Sequence, residues 1–434
     1  MGHLAAKDVY HHLGRKVDGL HVRAPNNEVF YRILKELYSE EEAEVVVKMP
    51  FNLSNLERVA RTVGMDRGRI KKILDGLCAK GLVMDVHARG EYRYMPNPLF
   101  VGIFEFTMMR TDGHPNMKDW ALLFHEYMSE GAPYRANFDP TTQTSIARAL
   151  PHEETLAEHV EVLDYERISA VLDETDQFAV GTCSCRHKKE HSGEERCEVP
   201  LGTCTTLGNG ADYLVRNKLS QAISKSEMKE IFARSRELGL IFCADNVRRR
   251  ITFVCHCCGC CCGILEGINV HGLTATLVTS TLIAQVDRDA CDGCGRCERA
   301  CHVQAVKMIP TDRPDSKTGR IAAIDQDFCL GCGVCALKCK NGVLKLVKRK
   351  KRVIHPETTF ERVILQCLER GTLENQLFDN PNSRGQAAMR YLVGGFLRLT
   401  PVKKALMSDV LRSSFLKALS GGVKVLGRGY LTEL

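Results

Sequence analysis

The chain has 434 residues, of which 44% are hydrophobic and 26% are charged. This ordinary globular mixture excludes wholesale disorder and fibrous repeats, and the length indicates about two to four domains. No apolar run approaches the roughly 18 residues of a membrane-spanning helix, and residues 1–10 lack the apolar core of a secretion signal, so we expect a cytoplasmic protein. The formal charge of +7 is concentrated in residues 385–434, which contain eight basic and two acidic residues.

The first hundred residues contain three stripes of apolar residues at helical spacing. The stripes start at Phe30, Leu56 and Ile70 and recur at i, i+3, i+4 and i+7. Residues 82–86 and 91–95 then alternate between apolar and polar, which predicts a β-hairpin. Three short helices and a hairpin in this order resemble winged helix-turn-helix domains. The resemblance covers residues 24–97 and implies either a DNA-binding or a protein-docking module.

In a DNA-binding version of such a domain, the third helix would enter the major groove. Basic residues follow its exposed face and the hairpin: Arg67, Arg69, Lys71, Lys72, Arg89 and Arg93. The acidic run of residues 40–44 precedes this region, and basic residues are common on helix surfaces. Protein docking is therefore the favoured interpretation, and DNA is the alternative partner.

The chain contains 21 cysteines, of which Cys78, Cys243 and Cys367 are isolated in the sequence. In a reducing compartment, clustered cysteines bind metal or carry out redox chemistry more often than they form disulfides. Ten of them lie in the middle of the chain. They are Cys183, Cys185, Cys197, Cys204, Cys255, Cys257, Cys258, Cys260, Cys261 and Cys262.

Thiols at this density would oxidise unless something held them, so the sequence predicts further metal ligands in the middle. The ten cysteines suffice for two additional four-iron clusters or for one cluster of unusual shape; zinc and redox-active thiols are the alternatives. The CSCR run at residues 183–186 and the CHCC run at residues 255–258 also resemble regions of larger, mostly uncharacterised multi-cluster iron–sulfur proteins of anaerobic bacteria. That resemblance implies electron transfer in an oxygen-poor metabolism and identifies no substrate.

Two local features of this middle region lead to further expectations. The basic residues 186–189 are expected either to donate hydrogen bonds to cluster sulfur or to form a solvated turn. Ser224 and Glu227 predict a helix with a capping box. We expect this helix to bring Cys204 and Cys255 together in space.

Residues 281–350 contain an internal repeat, because residues 324–344 align with residues 286–306. Each copy reads C-x2-C-x2-C-x3-C, the spacing that gives three thiolates to one [4Fe–4S] cluster and the fourth to the other. Zinc sites need no third Cys-x2 step, so zinc does not explain the duplicated pattern. The first cluster is assigned to Cys291, Cys294, Cys297 and Cys339, and the second to Cys329, Cys332, Cys335 and Cys301.

This segment closely resembles the bacterial two-cluster ferredoxins over about 60 residues, here 286–346. The resemblance implies a ferredoxin-like fold that holds two [4Fe–4S] clusters. The chain departs from the family where a proline usually follows the fourth cysteine, since His302 and Lys340 stand there. This departure leaves the ligands intact and affects the backbone turn and the redox potentials. Beyond it, the basic run 348–352 is expected to be solvated or to dock an acidic redox partner.

The C-terminal region alternates apolar and basic residues at helical spacing. Its predicted apolar face comprises Met389, Leu392, Val393, Phe396, Leu397, Leu406, Val410, Phe415 and Leu419. Such a helix packs on protein more often than on a membrane, so we expect it to cover the cluster-bearing domain or to dock a partner. Association with an anionic membrane surface is the alternative.

The sequence therefore predicts an α+β multidomain protein. Its predicted parts are a winged-helix-like domain (1–100), a cysteine-rich iron–sulfur module (101–280), a dicluster ferredoxin domain (281–350) and a basic helical tail (351–434). His152 and His159 are expected to be surface residues rather than ligands. No nucleophile–base constellation and no nucleotide-binding fingerprint stand out.

The leading hypothesis is an electron-transfer protein that relays single electrons through two ferredoxin-type clusters and one or two further clusters. It would be a subunit or partner of a larger anaerobic oxidoreductase and would exchange electrons with a flavoprotein or another oxidoreductase subunit. One alternative is a redox-sensing transcription regulator that uses the winged helix. Another is a catalytic oxidoreductase subunit with a substrate-binding cluster in the middle module. The expected location is the cytoplasm, with peripheral contact at the inner membrane surface through the tail as a variant.

Overall fold

The computed structural model describes residues 8–113, 115–158, 160–195, 197–314, 316–350 and 353–433. They form a mixed α and β architecture of several domains. Most buried apolar side chains belong to one continuous hydrophobic core that extends from Tyr10 to Leu346. A smaller core joins the N-terminal hairpin to the C-terminal region, where Val86 lies in one cluster with Phe360 and Tyr430.

Five helices and a small sheet make up the described part of the first hundred residues. The helices are α1 (Val9–Asp18), α2 (Glu28–Leu37), α3 (Glu40–Lys48), α4 (Leu56–Val63) and α5 (Arg67–Ala79). Strands β1 (Ser54–Asn55), β2 (Val83–Ala88) and β3 (Glu91–Pro96) form an antiparallel sheet in the order β1-β3-β2. The three predicted helices and the hairpin are therefore present.

Helix α3 is an element that the apolar stripes did not predict. The acidic run of residues 40–44 lies in it and begins at its first turn. Ser39 accepts a hydrogen bond from the backbone N–H of Glu42, and the Glu42 carboxylate accepts one from the N–H of Ser39. This capping box starts the helix, and the acidic side chains near its N-terminus interact favourably with the helix dipole.

A seven-stranded sheet occupies the middle of the chain. Its strands are β4 (Ala147–Leu150), β5 (Phe178–Thr182), β6 (Gly202–Leu207), β7 (Ser220–Ile223), β8 (Ile241–Asp245), β9 (Phe253–Cys257) and β10 (Leu277–Val278). Their order is β10-β4-β8-β9-β6-β5-β7, and all neighbours are antiparallel except β10 with β4. The sequence identified this region only as a cysteine-rich module, because its strands are short and pair across long stretches of chain.

The helices of this region precede the sheet or connect its strands. They are α6 (Phe104–Met108), α7 (Met117–Ser129), α8 (Ala132–Asn137), α9 (Ile168–Asp173), α10 (Ser184–Ser192), α11 (Gly208–Arg216), α12 (Lys225–Glu237) and α13 (Gly263–Asn269). The predicted capping box of α12 is confirmed, because Ser224 and Glu227 bond each other's backbone N–H groups. Cys204 and Cys255 do lie together, but they are neighbours through the pairing of β6 with β9.

The repeat at residues 281–350 folds into two interlocked halves. Strand β11 (Leu282–Val286) opens the first copy and pairs antiparallel with β14 (Leu344–Lys348), which closes the second. Strand β12 (Val306–Pro310) closes the first copy and pairs antiparallel with β13 (Arg320–Ile324), which opens the second. Each copy also contributes one short helix, α14 (Arg296–Ala300) or α15 (Val334–Leu337). The halves can therefore form only together.

The C-terminal region is helical over its described residues. Its helices are α16 (Thr359–Arg370), α17 (Leu373–Leu377), α18 (Arg384–Leu397), α19 (Thr400–Met407) and α20 (Arg412–Val425). The region packs on the N-terminal hairpin rather than on the ferredoxin-like segment that the sequence favoured. Part of the predicted apolar face is uncovered, since Leu392 is 65% exposed and Phe396 is 58% exposed.

Candidate metal centres

The cysteines of the repeat lie in and around two equivalent loop–helix segments: in each copy two precede the short helix, α14 or α15, one lies in it and one follows it. In these loops Gly293, Gly295, Gly331 and Gly333 all adopt positive φ, between 69° and 84°. A side chain is also excluded sterically, because a Cβ atom on Gly331 would lie 2.1 Å from the carbonyl oxygen of Leu282. The glycines thus let the backbone wrap closely, as cluster-binding loops require.

Thiols of one copy lie close enough to thiols of the other copy to influence their pKa values. Burial raises the pKa of Cys297 to about 11, and the nearby Cys291 and Cys339 add to the rise. Burial likewise raises the pKa of Cys335, and its neighbours include Cys301 from the first copy. The fourth cysteine of each copy therefore lies beside cysteines of the other copy, as crossed ligation requires.

The donor set of this segment fits iron–sulfur clusters in its chemistry as well as in its spacing. Buried thiols with raised pKa values stay protonated at neutral pH unless a cation replaces the proton. The repeat contains eight cysteines, four buried and four half-buried, which are enough sulfur ligands for two four-iron centres. The division into two specific ligand sets remains a prediction.

Eight of the ten middle cysteines line one cavity of about 100 Å³ beside the sheet, and two of these, Cys258 and Cys261, also belong to a compact group of four cysteines. The remaining six are Cys183, Cys185, Cys204, Cys255, Cys257 and Cys262, and we call them the six-cysteine pocket. The Sγ atoms of Cys257 and Cys262 are 3.1 Å apart. Hydrogen bonds from Cys185 and Cys257 hold the pKa of the Cys262 thiol well below its ordinary value. Sheet register and the loop after β9 thus bring together residues that are up to 79 positions apart.

Cys243 is a neighbour of this pocket, although it is isolated in the sequence. It stands directly opposite Cys255 across β8 and β9, and Cys255 stands opposite Cys204 across β9 and β6. Cross-strand partners share one face of a sheet, so the three thiols form a row. Cys243 is fully buried, and it also contributes to the raised pKa of Cys332 in the repeat. Its position depends on strand register, which a lone cysteine in the sequence does not reveal.

The other four middle cysteines form a compact group, and two of them, Cys258 and Cys261, also line the cavity. We call Cys197, Cys258, Cys260 and Cys261 the four-cysteine group, and their sulfur atoms all lie within 4.8 Å of one another. Cys258, Cys260 and Cys261 occupy the turn between β9 and α13, and Cys197 comes from the loop that follows α10. Cys260 is exposed, whereas Cys258 and Cys261 are buried. The ten cysteines therefore comprise a compact set of four and six others, and the two sets adjoin at the cavity.

Arg186 connects the two groups electrostatically. Its guanidinium is buried and donates hydrogen bonds to the carbonyl of His256 at 2.8 Å and to Sγ of Cys258 at 3.6 Å. Although burial lowers the pKa of Arg186, the charges of Cys183 and Cys258 raise it above its ordinary value. Residues 186–189 lie in α10 rather than in a solvated turn. Of these four, Arg186 donates to a cysteine sulfur, whereas His187 bonds to the carbonyl of Met108 and both lysines pair with Glu194.

Two oxygen-bearing side chains in the six-cysteine pocket were not predicted from the sequence. Glu105 and Tyr134 line the pocket, and neither belongs to a recognisable motif. Burial raises the pKa of Glu105 to about 7, and the backbone N–H of Gly102 donates to its carboxylate at 3.2 Å. The Tyr134 hydroxyl donates to the carbonyl of Gly263 at 2.8 Å. The pocket thus holds oxygen donors besides its thiols.

Two histidines join the repeat to the middle module. His302, which stands where ferredoxins usually have proline, accepts a hydrogen bond at Nδ1 from the N–H of Gly259 at 3.1 Å and donates from Nε2 to the carbonyl of Gly239 at 2.7 Å. His152 donates its backbone N–H to the carbonyl of Cys332 at 3.0 Å. The surface position expected for His152 is wrong, because the side chain is 2% exposed. His159 lies outside the described residues.

The predicted DNA-contacting residues differ in their availability. Arg69 pairs with Glu41, and Lys71 pairs with Asp75 at 2.6 Å, both on the exposed face of α5. In the hairpin, Arg89 pairs with Glu433, and the guanidinium of Arg93 lies 3.8 Å from the ring centre of Tyr430. The C-terminal segment therefore occupies both hairpin arginines.

The basic run after the repeat is only partly described, since Lys351 and Arg352 lie outside the described residues. Within the run, Arg349 donates to the carbonyl of Cys329 at 2.6 Å, so it supports a cluster loop rather than extending into solvent. Lys350 is exposed. Among the described residues, no helix combines the length and the apolar character needed to cross a membrane.

Comparison with known proteins agrees with the geometry of the repeat. Residues 290–343 match the family model described as a 4Fe–4S dicluster domain. The chain matches no curated protein and no solved structure. This is therefore an iron–sulfur protein with a dicluster domain that covers about an eighth of the chain.

Proposed function

We propose that the protein is an electron-transfer component that passes single electrons between the dicluster domain and the six-cysteine pocket. When bound, each four-iron cluster accepts and releases one electron at a potential set by its surroundings. The observation that carries the proposal is the position of Cys243, which neighbours Cys257 of the pocket and Cys332 of the repeat. A buried thiol row thus links the two candidate centres.

The protein environment between the centres supports short electron-transfer distances. The ligands Cys329 and Cys335 are buried, and Cys332 and Cys301 are half-buried, in the same continuous core that contains Cys257 and Cys262. The hydrogen bonds of His152 and His302 fix the repeat against the segment after β4, the segment before β8 and the loop that carries Gly259. The repeat and the middle module therefore form one packed unit around the sulfur ligands.

Iron counting and low-temperature EPR on anaerobically purified full-length protein test this proposal. We expect at least about eight iron ions per chain and, after reduction, EPR signals from interacting four-iron clusters. Crossed ligation predicts that Cys339→Ser alters the same cluster signal as Cys291→Ser, and that Cys301→Ser alters the other. Cys367→Ser, at a buried cysteine far from the groups in sequence, is the control that should leave the iron content unchanged. Fewer than about eight irons in fully loaded protein would contradict two clusters in the repeat, and about eight irons with no further EPR-active centre would contradict electron transfer to the six-cysteine pocket.

A second candidate function is the reduction of a bound organic molecule at the six-cysteine pocket. A cavity of about 710 Å³ adjoins the pocket and shares Phe100, Val101, Thr206 and Phe253 with it. Thr206 and Phe253 lie on the same sheet face as Cys204 and Cys255, one pleat further along β6 and β9. A cavity of this size holds a small organic ligand, and its lining is predominantly apolar.

The two functions differ in what the large cavity does. We would add menadione, an apolar quinone, to the reduced protein and record the EPR signal of the middle centre and its rate of reoxidation. The catalytic function predicts that menadione changes the EPR signal and speeds reoxidation. Val423→Trp fills the cavity from α20, so it should abolish this effect of menadione without loss of iron. Identical reoxidation by both proteins would favour the pure electron-transfer function.

The partner that exchanges electrons with the dicluster domain is proposed to be a separate redox protein, a flavoprotein or an oxidoreductase subunit. Docking on a partner protein or on an anionic membrane surface through Leu392 and Phe396 of α18 is a further proposal, which their exposure supports. Regulation of transcription has less support, because DNA contact by the hairpin requires Arg89 and Arg93 to leave Glu433 and Tyr430. A selection for DNA sequences bound by the oxidised and reduced protein tests it.

A further inference from the structure

The four-cysteine group has the dimensions of a site for one metal ion. The Sγ atoms of Cys197 and Cys258 are 3.6 Å apart, those of Cys260 and Cys261 are 3.6 Å apart, and those of Cys197 and Cys261 are 3.7 Å apart. Four sulfurs at about 2.3 Å from a tetrahedral zinc ion lie about 3.8 Å from one another. The observed separations agree with this edge length to within a few tenths of an ångström.

A four-iron cube would require a more open arrangement. Each of its thiolates binds a different iron atom at a different corner of the cube, so the thiolates stand farther apart than ligands of one ion. Among the described residues, no other group of three or more candidate ligands lies within 4.8 Å of one another, and this holds for the eight cysteines of the repeat. The same fold thus contains widely spaced cysteines in the cluster loops and a compact set in the four-cysteine group.

The surroundings suit the charge of such a site. Four thiolates around a divalent ion leave a net charge of about −2, which a buried site must offset. Arg186 donates to Sγ of Cys258, and the pKa of Lys189 is raised by Glu194 and by Cys261 although burial lowers it. A cation from α10 therefore contacts the sulfur shell directly, and a second one lies in its field.

We propose that Cys197, Cys258, Cys260 and Cys261 bind a single zinc ion, which fixes the turn between β9 and α13 beside the six-cysteine pocket. This assignment replaces the expectation that all ten middle cysteines bind iron–sulfur clusters. It goes beyond the proposed electron-transfer function, because zinc carries no electrons. Its role is structural, since the turn supplies Cys262 to the pocket and the N–H of Gly259 to His302.

Metal analysis of full-length protein, reconstituted anaerobically with both iron and zinc, tests the proposal. We expect about one zinc per chain, with an X-ray absorption spectrum of four sulfurs at about 2.3 Å. Cys260→Ser, at the exposed ligand, should remove the zinc and leave the iron content unchanged. Cys78→Ser is the matched control and should change neither metal.

Three results would overturn the assignment. The loss of about four irons from Cys260→Ser would place a cluster at the group, and the loss of a single iron would place mononuclear iron there. A zinc spectrum dominated by nitrogen or oxygen ligands would show that the zinc is bound elsewhere. If Cys260→Ser alters the fold, Cys197→Ser, which lies on a different loop, replaces it in the test and should likewise remove the zinc and keep the iron. None of these results changes the iron count of the unmodified protein, on which the electron-transfer function depends.

Discussion

The side chain of Arg186 places a full charge in a region that is otherwise shielded from solvent. Its guanidinium donates to Thr203 and to the carbonyl of His256 as well as to Cys258, so its position is fixed by three partners. A buried cation without an opposite charge would be costly, which agrees with anionic metal–thiolate centres on both sides of α10. A residue in this place stabilises the more negative, reduced form of a nearby centre.

Replacing Arg186 by methionine should therefore lower the reduction potential of the centre in the six-cysteine pocket. Arg186 lies in the field of Cys183 of the pocket, and the loss of one positive charge, about 1–3 kcal/mol at an effective dielectric constant of about 20, corresponds to about 40–130 mV for a one-electron couple. An EPR-monitored redox titration measures the shift. Arg249→Met, at an exposed arginine that pairs with Glu357, is the control and should leave the potential unchanged. An unchanged potential in Arg186→Met would contradict a role for this charge.

His355 gives the structure a pH-dependent stability that does not involve the cysteines. Burial, together with the charges of Arg148 and Arg248, lowers its pKa to about 3, and Nδ1 donates to Oδ1 of Asn246 at 2.8 Å. Between about pH 3 and its ordinary pKa of 6.5, the unfolded chain therefore binds more protons at this residue than the folded one. The free energy of unfolding should fall as the pH decreases through this range.

We expect His355→Asn, which keeps a donor for Asn246, to reduce this pH dependence. Between about pH 7.5 and 5.5 the native chain should lose about 1.4 kcal/mol more stability than the variant. Anaerobic urea unfolding at the two pH values, followed by far-ultraviolet circular dichroism, measures the difference. Equal losses of stability in both proteins would mean that folding does not lower the pKa of His355.

At the scale of elements, the cluster loops depend on glycines that no other residue can replace. A Cβ atom at Gly331 would lie 2.1 Å from the carbonyl oxygen of Leu282, and one at Gly293 would lie 2.3 Å from that of Arg320. Both contacts involve backbone at the start of a strand, β11 or β13, so relief requires a strand to move. The loops and the interlocked strands are thus one structural unit.

Gly331→Ala should weaken both the fold and the retention of iron. Gly342 has a similar positive φ of 67°, but an added Cβ atom there would have no neighbour within 4 Å. Gly342→Ala therefore isolates the cost of the backbone conformation, about 1–2 kcal/mol. Crowding should add about 1–3 kcal/mol at Gly331. Unfolding curves and iron retention during dialysis compare the two variants. Equal free energies of unfolding and equal iron retention would mean that β11 moves away from the added Cβ atom at no cost in stability.

Local signals in the sequence predicted the elements that depend on neighbouring residues. The capping box at Ser224 and Glu227 and the hairpin at β2 and β3 are present because side-chain spacing determines them. The capping box at Ser39 has the same kind of local signal, but the acidic run of residues 40–44 indicated only a charged surface. The seven-stranded sheet was not predicted, because strands such as β4 have four residues and their partners lie up to 130 positions away.

At the scale of the whole molecule, the cysteine motifs predicted which residues come together better than how those residues divide. The two copies of the cysteine motif in the repeat indicate two matching halves, and the family match to residues 290–343 agrees with a dicluster domain there. The separation of the middle cysteines into groups of six and four depends on sheet register and on one turn, which spacing alone does not determine. Cys243 joins the pocket for the same reason, and Glu105 reaches it from a helix that carries no cysteine.

His302 shows how the repeat differs from a free-standing ferredoxin. It follows Cys301, and its two ring nitrogens bond to Gly259 and Gly239 in the middle module. Lys340 occupies the equivalent position in the second copy and is exposed. The first copy therefore faces the middle module at this position and the second faces solvent, so the two-fold symmetry of the sequence is broken by docking.

Removing the His302 ring should separate the dicluster domain from the middle module. His302→Ala leaves the N–H of Gly259 and the carbonyl of Gly239 without partners, at a cost of about 1–3 kcal/mol in the free energy of unfolding. Because it loosens the contact beside Cys301, it should also slow electron transfer from the repeat to the six-cysteine pocket, as measured by rapid freeze-quench EPR after reduction. Lys340→Ala, the matched change at the solvent-facing position, should affect neither quantity. Equal transfer rates in the two variants would show that electron transfer does not require the His302 contact. The route between the centres would then be the row of thiols that includes Cys243.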